Sequence, residues 1–217
     1  DIRMAGYKYF NDNIQTDSTK HIPILITKKN LSNPCDKIEI VYGDIKYDRS
    51  VDPITHEFEK IKITYECILS TIADKEKPLA GGGYETIGNT KGIKTVHKSK
   101  VKWDGTSWAD PNIDSDPETY SSEPIVEYIE DLIFVPIGPD GQAYDPPPSS
   151  TNDPDKLYSI KVVDILLTVR SKKRFFRTAK QRVKKALIHD SRKIDKTDRF
   201  LRDTIIVSAH ARNLGFQ

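Results

Sequence analysis

The sequence predicts an α+β fold, in which the end of an N-terminal helix packs on antiparallel β-sheet with long connecting loops. Ile2, Ala5 and Tyr9 recur at helical spacing, so we expect residues 1–13 to form a helix end. The strong patterns further along the chain instead alternate apolar and polar side chains, as half-buried strands do. Residues 37–217 are therefore expected to form the β-rich globular part.

The composition predicts one modest core with long polar loops, and we expect residues 1–217 to form a single domain. Hydrophobic residues make up 36% of the chain and charged residues 30%. The formal net charge of +2 indicates no particular partner, because 34 basic and 32 acidic residues nearly cancel. Met4 is the only methionine, and the helical pattern is already in phase at residue 1. We therefore expect a longer precursor that supplies the front of this helix.

The predicted strands begin with a short one at residues 22–26 and a long hairpin of residues 37–43 and 59–70. An Asp-Gly pair then predicts a two-residue type I′ turn between Trp103 and Trp108. These two rings are expected either in the core or as an exposed docking tip. Further strands are predicted over 125–137, 157–170 and 199–212, the last with Leu201, Ile205, Val207, Ala209 and Ala211 on one face.

The two cysteines, Cys35 and Cys67, fit no metal-binding or redox spacing, which leaves buried thiols or one disulfide. Both lie at the open end of the predicted hairpin, where antiparallel pairing would bring them close. However, placing Ile38 and Ile40 opposite apolar residues of the second arm puts the two cysteines on opposite faces. Since Cys35 follows an Asn-Pro pair, it could turn in from outside the strand, and we favour the disulfide.

The sequence contains no catalytic or cofactor motif, so we expect no catalytic residues, no cofactor and no enzymatic activity. The five histidines are scattered, without the HExxH spacing of a zinc site. The run of three glycines at 81–83 lacks the Gly-Lys-Ser/Thr of a phosphate-binding loop. No Gly-x-Ser-x-Gly turn is present.

One acidic loop has carboxylates that could coordinate calcium through hard oxygen ligands. These are Asp110, Asp114, Asp116 and Glu118. The spacing of a calcium-binding EF-hand is absent, so a solvated loop is favoured and no metal is expected.

Residues 170–193 form a basic segment with eleven Lys or Arg residues and one acid. Four apolar residues recur in it at helical spacing: Phe176, Ala179, Val183 and Leu187. This pattern is typical of an amphipathic helix that lies on the sheet with its charges in water. The alternative is a surface that follows the phosphates of nucleic acid or lipid, with Phe175 and Phe176 as stacking rings. The cations of that surface would be Arg170, Lys172, Lys173, Arg174, Arg177, Lys180, Arg182, Lys184 and Lys185.

Three segments together resemble the PilW-type minor pilins and the related J-type minor pseudopilins of type II secretion. They are DIRMAGY at the start, IEDLIFVPIGPDGQ in the middle and FLRDTIIVSAHARNLGF at the end. The resemblance spans nearly the whole chain. It implies a type IV pilin-like fold and a structural role as a minor subunit of a type IV pilus or pseudopilus. Such a subunit helps to initiate assembly or caps the tip through contacts with other minor subunits, which would be its partners.

The resemblance also implies a location and a contact surface. A preceding apolar helix would anchor the protein in the inner membrane, with this domain in the periplasm before assembly and then at a periplasmic or extracellular filament tip. The contact residues would be those of the helix end: Ile2, Arg3, Met4, Ala5, Lys8 and Tyr9. The alternative function is a surface binding module, a tip adhesin or DNA-uptake subunit, that uses the basic segment.

Overall fold

The computed structural model describes residues 1–7, 22–30, 34–48, 53, 55–69, 75–78, 84–87, 93–111, 116–184, 192 and 194–211. Its centre is a curled, seven-stranded antiparallel sheet with the strand order β1-β2-β3-β6-β7-β8-β11. Two separate ribbons, β4–β5 and β9–β10, complete the strands. The strands are β1 Ile24–Thr27, β2 Lys37–Asp48, β3 Thr55–Leu69, β4 Lys75–Pro78, β5 Tyr84–Ile87, β6 Lys94–Lys102, β7 Tyr120–Ile137, β8 Val162–Arg170, β9 Lys180–Lys184, β10 Ile194–Asp198 and β11 Arg202–His210.

The predicted α+β, type IV pilin-like fold class is wrong, because the structure is nearly all β. Within the described ranges the helical segments longer than one residue are two short 3-10 turns, Ile2–Met4 and Pro154–Tyr158. The first turn ends at Ala5, whose ψ of 126° lies outside the helical region. The next residues bond to β2 instead, since the Gly6 amide donates to the Val41 carbonyl at 2.9 Å. A 3-10 turn followed by hydrogen bonds to β2 thus replaces the expected helix over residues 1–7, and residues 8–13 lie outside the described ranges.

The predicted hairpin forms, as β2 and β3, and both strands are longer than expected. Ile38 pairs with Tyr65 and Ile40 with Ile63, so the apolar side chains share one face. In this register Cys35 precedes the strand, where it turns in and forms a disulfide with Cys67 across a Cα separation of 5.7 Å. Cys35 can therefore bond to Cys67 despite the register of the hairpin, because it lies in the loop before β2 and not in the strand.

The main core lies on the inner face of the curl. The turn at Ile2–Met4 contacts both β2 and β11, which are far apart in the sheet order, so the sheet bends around it. The largest fully buried side chains on this face include Ile24, Ile38, Ile40, Ile129 and Val163. A smaller cluster of Ile133, Val135 and Leu166 is separate from it. Because successive strand residues point to opposite faces, β7 and β8 contribute to both clusters.

The remaining predicted strands form, but their first and last residues differ from the predicted ones. Residues 22–26 correspond to β1, 125–137 to β7, 157–170 to β8 and 199–212 to β11. The predicted two-residue turn is wrong: Trp103 and Trp108 bridge directly and enclose a four-residue loop. The Asp104 carboxylate closes that loop by accepting hydrogen bonds from the amides of Thr106 and Ser107, at 2.7 and 2.6 Å.

The predicted amphipathic helix in the basic segment is also wrong over its described part. Residues 171–179 are irregular, and Lys180–Lys184 pair with β10. Val183, expected on the buried face, is 49% exposed and lies opposite Asp195. Phe176 instead packs against the guanidinium of Arg182 at 3.7 Å from the ring centroid. Leu187 lies outside the described residues.

Candidate functional site

An apolar groove of about 360 Å³ lies on the inner face of the sheet, beside the first residues of the chain. Its walls include Ile38, Val96, Leu132, Phe134, Ile165 and Leu167. Lys98 Nζ lies 3.0 Å from a carboxylate oxygen of Asp1 at the mouth, and the Tyr65 hydroxyl donates to the same oxygen. A largely apolar cavity with a few polar groups at its mouth is typical of a site that binds an apolar group.

The predicted partner-binding residues divide between the core and the surface. Ile2 and Ala5 are buried beside the groove, at 7% and 0% exposure, whereas Arg3 is exposed and Met4 is intermediate. Lys8 and Tyr9 lie outside the described residues. Contact of this segment with a partner stays a prediction.

Most of the described cations of the basic segment lie on an exposed surface, which we call the basic surface: residues 170–184 together with Arg199. Arg170 is instead buried at 8% exposure, and Arg192 pairs with the buried Asp36 and Asp131 away from this surface. Lys172, Lys173, Arg174, Arg177 and Lys180 are exposed, and Arg182 is intermediate. The surface is held against the chain after β10, because the amides of Phe175 and Phe176 both donate to the carbonyl of Arg199. The Phe175 ring is 66% exposed beside these cations. Nothing is described of the Lys184 side chain or of Lys185.

A pocket of about 270 Å³ opens in the basic surface between Arg170, Arg174 and Arg199, with Phe200 and Asp198 in its wall. The Arg170 guanidinium stacks on the Phe200 ring at 4.0 Å from the centroid. Hydrogen bonds from Arg202 hold the pKa of Asp198 below its usual range, so this carboxylate is ionised and already paired. Arg170 is paired with Glu130 at 3.9 Å, so the positive charge that would suit an anion comes from Arg174 and Arg199.

Sequence reasoning missed Arg199 and Arg202, which lie outside the basic segment. Two aspartates, Asp198 and Asp203, neighbour them in sequence and balance their charge locally. Arg199 joins the basic surface through the hydrogen bonds from Phe175 and Phe176, and Arg202 approaches it through the pairing of β11 with β8, in which it lies opposite Arg170. No spacing in the sequence signals that contact.

The candidate calcium residues are only partly brought together, and an ammonium group lies between them. Lys102 Nζ lies 2.7 Å from Asp116, 3.1 Å from Glu118 and 3.2 Å from Glu59. Burial alone would lower the pKa of Lys102, but these three carboxylates raise it above its ordinary value. Lys102 therefore remains charged where a metal ion would otherwise lie. Asp114 is outside the described ranges, within which no metal-binding cluster is present.

His97 and Ser122 form a pair that resembles a nucleophile and its base. The Ser122 hydroxyl oxygen lies 2.9 Å from His97 Nδ1, and Ser122 adopts a left-handed φ of 58°. The Ser122 carbonyl also lies 2.9 Å from Nδ1, so this nitrogen carries the proton and donates. A protonated Nδ1 cannot take the proton of the hydroxyl, which makes the pair a structural link between β6 and β7.

A buried clamp of charged groups, Asp36, Asp131 and Arg192, fixes the sheet beside the disulfide. Arg192 donates through Nε to Asp131 at 3.0 Å and through Nη1 to Asp36, which is fully buried. Asp36 also accepts from the amides of Lys29 at 2.9 Å and Phe134 at 3.1 Å. The clamp thus joins the loop before β2 to the centre of β7.

Comparison with protein-family models, with curated proteins and with solved structures gives no match for this chain. Within the described residues, no helix is long and apolar enough to cross a membrane.

Proposed function

We propose that this protein is a structural, non-enzymatic minor subunit of a type IV pilus or pseudopilus, which helps to initiate assembly or caps the tip. The proposal rests on the three resembling sequence segments and on one geometric observation. The DIRMAGY segment is anchored on the sheet through Ile2 and Ala5, while Arg3 faces outward beside the apolar groove. A buried anchor next to exposed residues is what a docking segment requires.

The disulfide between Cys35 and Cys67 supports the periplasmic or extracellular address of such a subunit, because disulfides persist in oxidising compartments. The proposed partners are other minor pilins or pseudopilins, and the precursor would be anchored in the inner membrane.

The test is a binding assay between this domain and the products of neighbouring prepilin-like genes. Arg3→Glu should weaken binding to a partner subunit and leave the melting temperature unchanged, since Arg3 is exposed. Lys156→Glu, an equally exposed charge reversal elsewhere, is the matched control and should bind normally. Equal binding by both variants would count against a docking role for the DIRMAGY segment. A gene neighbourhood without any prepilin-like gene would remove the proposed class.

A second candidate function is supported by the basic surface: binding of single-stranded nucleic acid. Its exposed lysines and arginines would contact phosphates, Phe175 would stack on a base, and the arginine-lined pocket would hold one phosphate.

A gel-shift titration with single-stranded DNA at increasing salt tests this second function. Arg174→Ala should weaken binding and reduce its salt dependence, and Phe175→Ala should weaken binding at every salt concentration. Lys156→Ala removes a cation outside the basic surface and serves as control. The absence of any shift at low salt would reject nucleic-acid binding.

A further inference from the structure

The strand β11 forms one edge of the seven-stranded sheet, and among the strands that the structure describes it pairs with β8 only. Three consecutive apolar side chains in its middle are about half exposed: Ile205 at 50%, Ile206 at 45% and Val207 at 51%. Edge strands of native proteins usually have a charge, a proline or a bulge that prevents pairing with another chain. Residues 204–209 have no charge and no proline, and their pairing with β8 has no register shift.

The two sides of β11 differ in chemistry. Ile205 and Val207 lie opposite Leu167 and Ile165 of β8, which line the apolar groove, so they extend the inner face of the sheet. Thr204 and Ser208 point to the outer face with Ile206. Their hydroxyls bond to Thr168 and Asp164 of β8, at 2.9 and 2.5 Å.

The order of these residues is self-complementary. The sequence Thr-Ile-Ile-Val-Ser is nearly symmetric about its central residue, Ile206. If two copies of β11 pair antiparallel about Ile206, Thr204 faces Ser208 and Ile205 faces Val207 of the other copy. Each hydroxyl residue then meets a hydroxyl residue and each β-branched apolar residue meets another, which are favourable cross-strand pairs. A two-fold interface requires this kind of self-complementary strip.

We infer that a second copy of this chain pairs with β11, antiparallel and centred on Ile206, so that two seven-stranded sheets become one continuous sheet. The two grooves then adjoin through Ile205 and Val207 of both copies. This inference is independent of the proposed function, since it concerns only contacts between identical chains.

Variants that place opposite charges on β11 test both the dimer and its register. By sedimentation velocity, the wild-type mass should rise from 24.7 kDa to twice that value as concentration increases. Ile205→Lys and Val207→Glu should each remain monomeric, because each places a charge opposite an apolar residue. The double variant should dimerise again, because Lys at 205 then faces Glu at 207 of the other copy. Ile68→Lys on β3 changes an exposed strand residue in the middle of the sheet and should dimerise like the wild type.

Thermal melts of every variant separate loss of pairing from loss of folding. A wild type that stays monomeric at all concentrations overturns the inference. Folded single variants that still dimerise, or a folded double variant that does not, overturn the proposed pairing as well.

A cysteine placed at the symmetry axis gives an independent test. Ile206→Cys should form an intermolecular disulfide under mild oxidation, since the two Cα atoms would be about 4.5–5.5 Å apart. The native cysteines do not interfere, because the chain has two and they are bonded to each other. Thr204→Cys is the matched control: its copies would be separated by four strand positions, about 13 Å, and should not cross-link. Equal cross-linking at both positions would contradict the register.

Discussion

Replacing Asp36 by Asn should destabilise the protein more than any other single change of an acid to its amide. The Asp36 side chain is fully buried, and its two oxygens accept from two backbone amides, from Lys28 and from Arg192. Asn has nearly the same size, but its amide nitrogen would face donors and its charge is gone. Arg192 would then keep a buried positive charge with Asp131 as its remaining carboxylate.

The expected loss in the free energy of unfolding is about 3–5 kcal/mol, the usual cost of removing one partner from a buried ion pair. Typical domains are stable by only about 5–15 kcal/mol, so this single change removes a large part of the total. Urea unfolding followed by the fluorescence of Trp103 and Trp108 measures the loss. Asp155→Asn changes an exposed acid in the same way and should stay within about 0.5 kcal/mol of the wild type.

A double-mutant cycle identifies the source of the loss. In an Arg192→Met background, Asp36→Asn should cost less than in the wild type, because the charge that it leaves unpaired has already been removed. If Asp36→Asn loses less than about 1 kcal/mol, a value typical of a surface hydrogen bond, the clamp does not hold β7 to the loop before β2.

Three further predictions concern other parts of the fold. Burial lowers the pKa of Lys94 from its ordinary value of 10.5 to about 8. Between these two pH values the unfolded chain therefore binds more protons than the folded chain, and the free energy of unfolding should rise with pH. The rise should be smaller for Lys94→Met than for the wild type when both are unfolded in urea. Replacing Cys35 and Cys67 by Ser should cost roughly 3–4 kcal/mol in the same assay, because the disulfide closes a loop between positions 32 apart in the sequence; an unchanged midpoint would contradict this. Millimolar calcium should leave the melting temperature unchanged because the Lys102 ammonium already lies between the carboxylates of the acidic cluster, and a clear rise would refute that assignment.

Six strands were predictable because each carries its own signal: β1, β2, β3, β7, β8 and β11. The short strands β4, β5, β9 and β10 were not predicted. The alternation from Ile61 to Cys67 fixes one buried face without reference to the rest of the chain. The partner strand follows from the same pattern, and the register from matching Ile38 and Ile40 to it. The disulfide then depends on one local feature, the turn that precedes Cys35.

The helices were mispredicted because a few apolar residues at helical spacing can be buried by a helix or by a different backbone conformation. Ile2 and Ala5 are buried as a helical stripe requires, yet a 3-10 turn followed by pairing to β2 buries them equally well. In the basic segment, Phe176 contacts Arg182, six residues further on, through a turn that brings the chain back. Helical spacing over so few residues does not distinguish these arrangements.

The charged clusters could not be predicted because their members are far apart in sequence. Arg192 lies 156 residues after Asp36, and Lys102 lies 43 residues after Glu59. Each residue alone has the pattern of a solvated surface charge. The sheet topology brings them together. Because they are buried, the loss of one partner would leave an unpaired charge in the protein interior. The same cause hid the arginine-lined pocket, whose cations come from β8, the loop after it and the chain after β10.

The position of the last strand within the sheet does not follow from its own sequence. The sequence of β11 has apolar residues at successive positions, a pattern typical of a strand covered on both faces and flanked on both sides. The structure places it at an edge, where Ile205, Ile206 and Val207 remain half exposed although β8 covers one side. A strand with the composition of a central strand in an edge position gains stability by acquiring a second neighbour. Because its own sequence is nearly symmetric about Ile206, the neighbour that matches it best is another copy of itself.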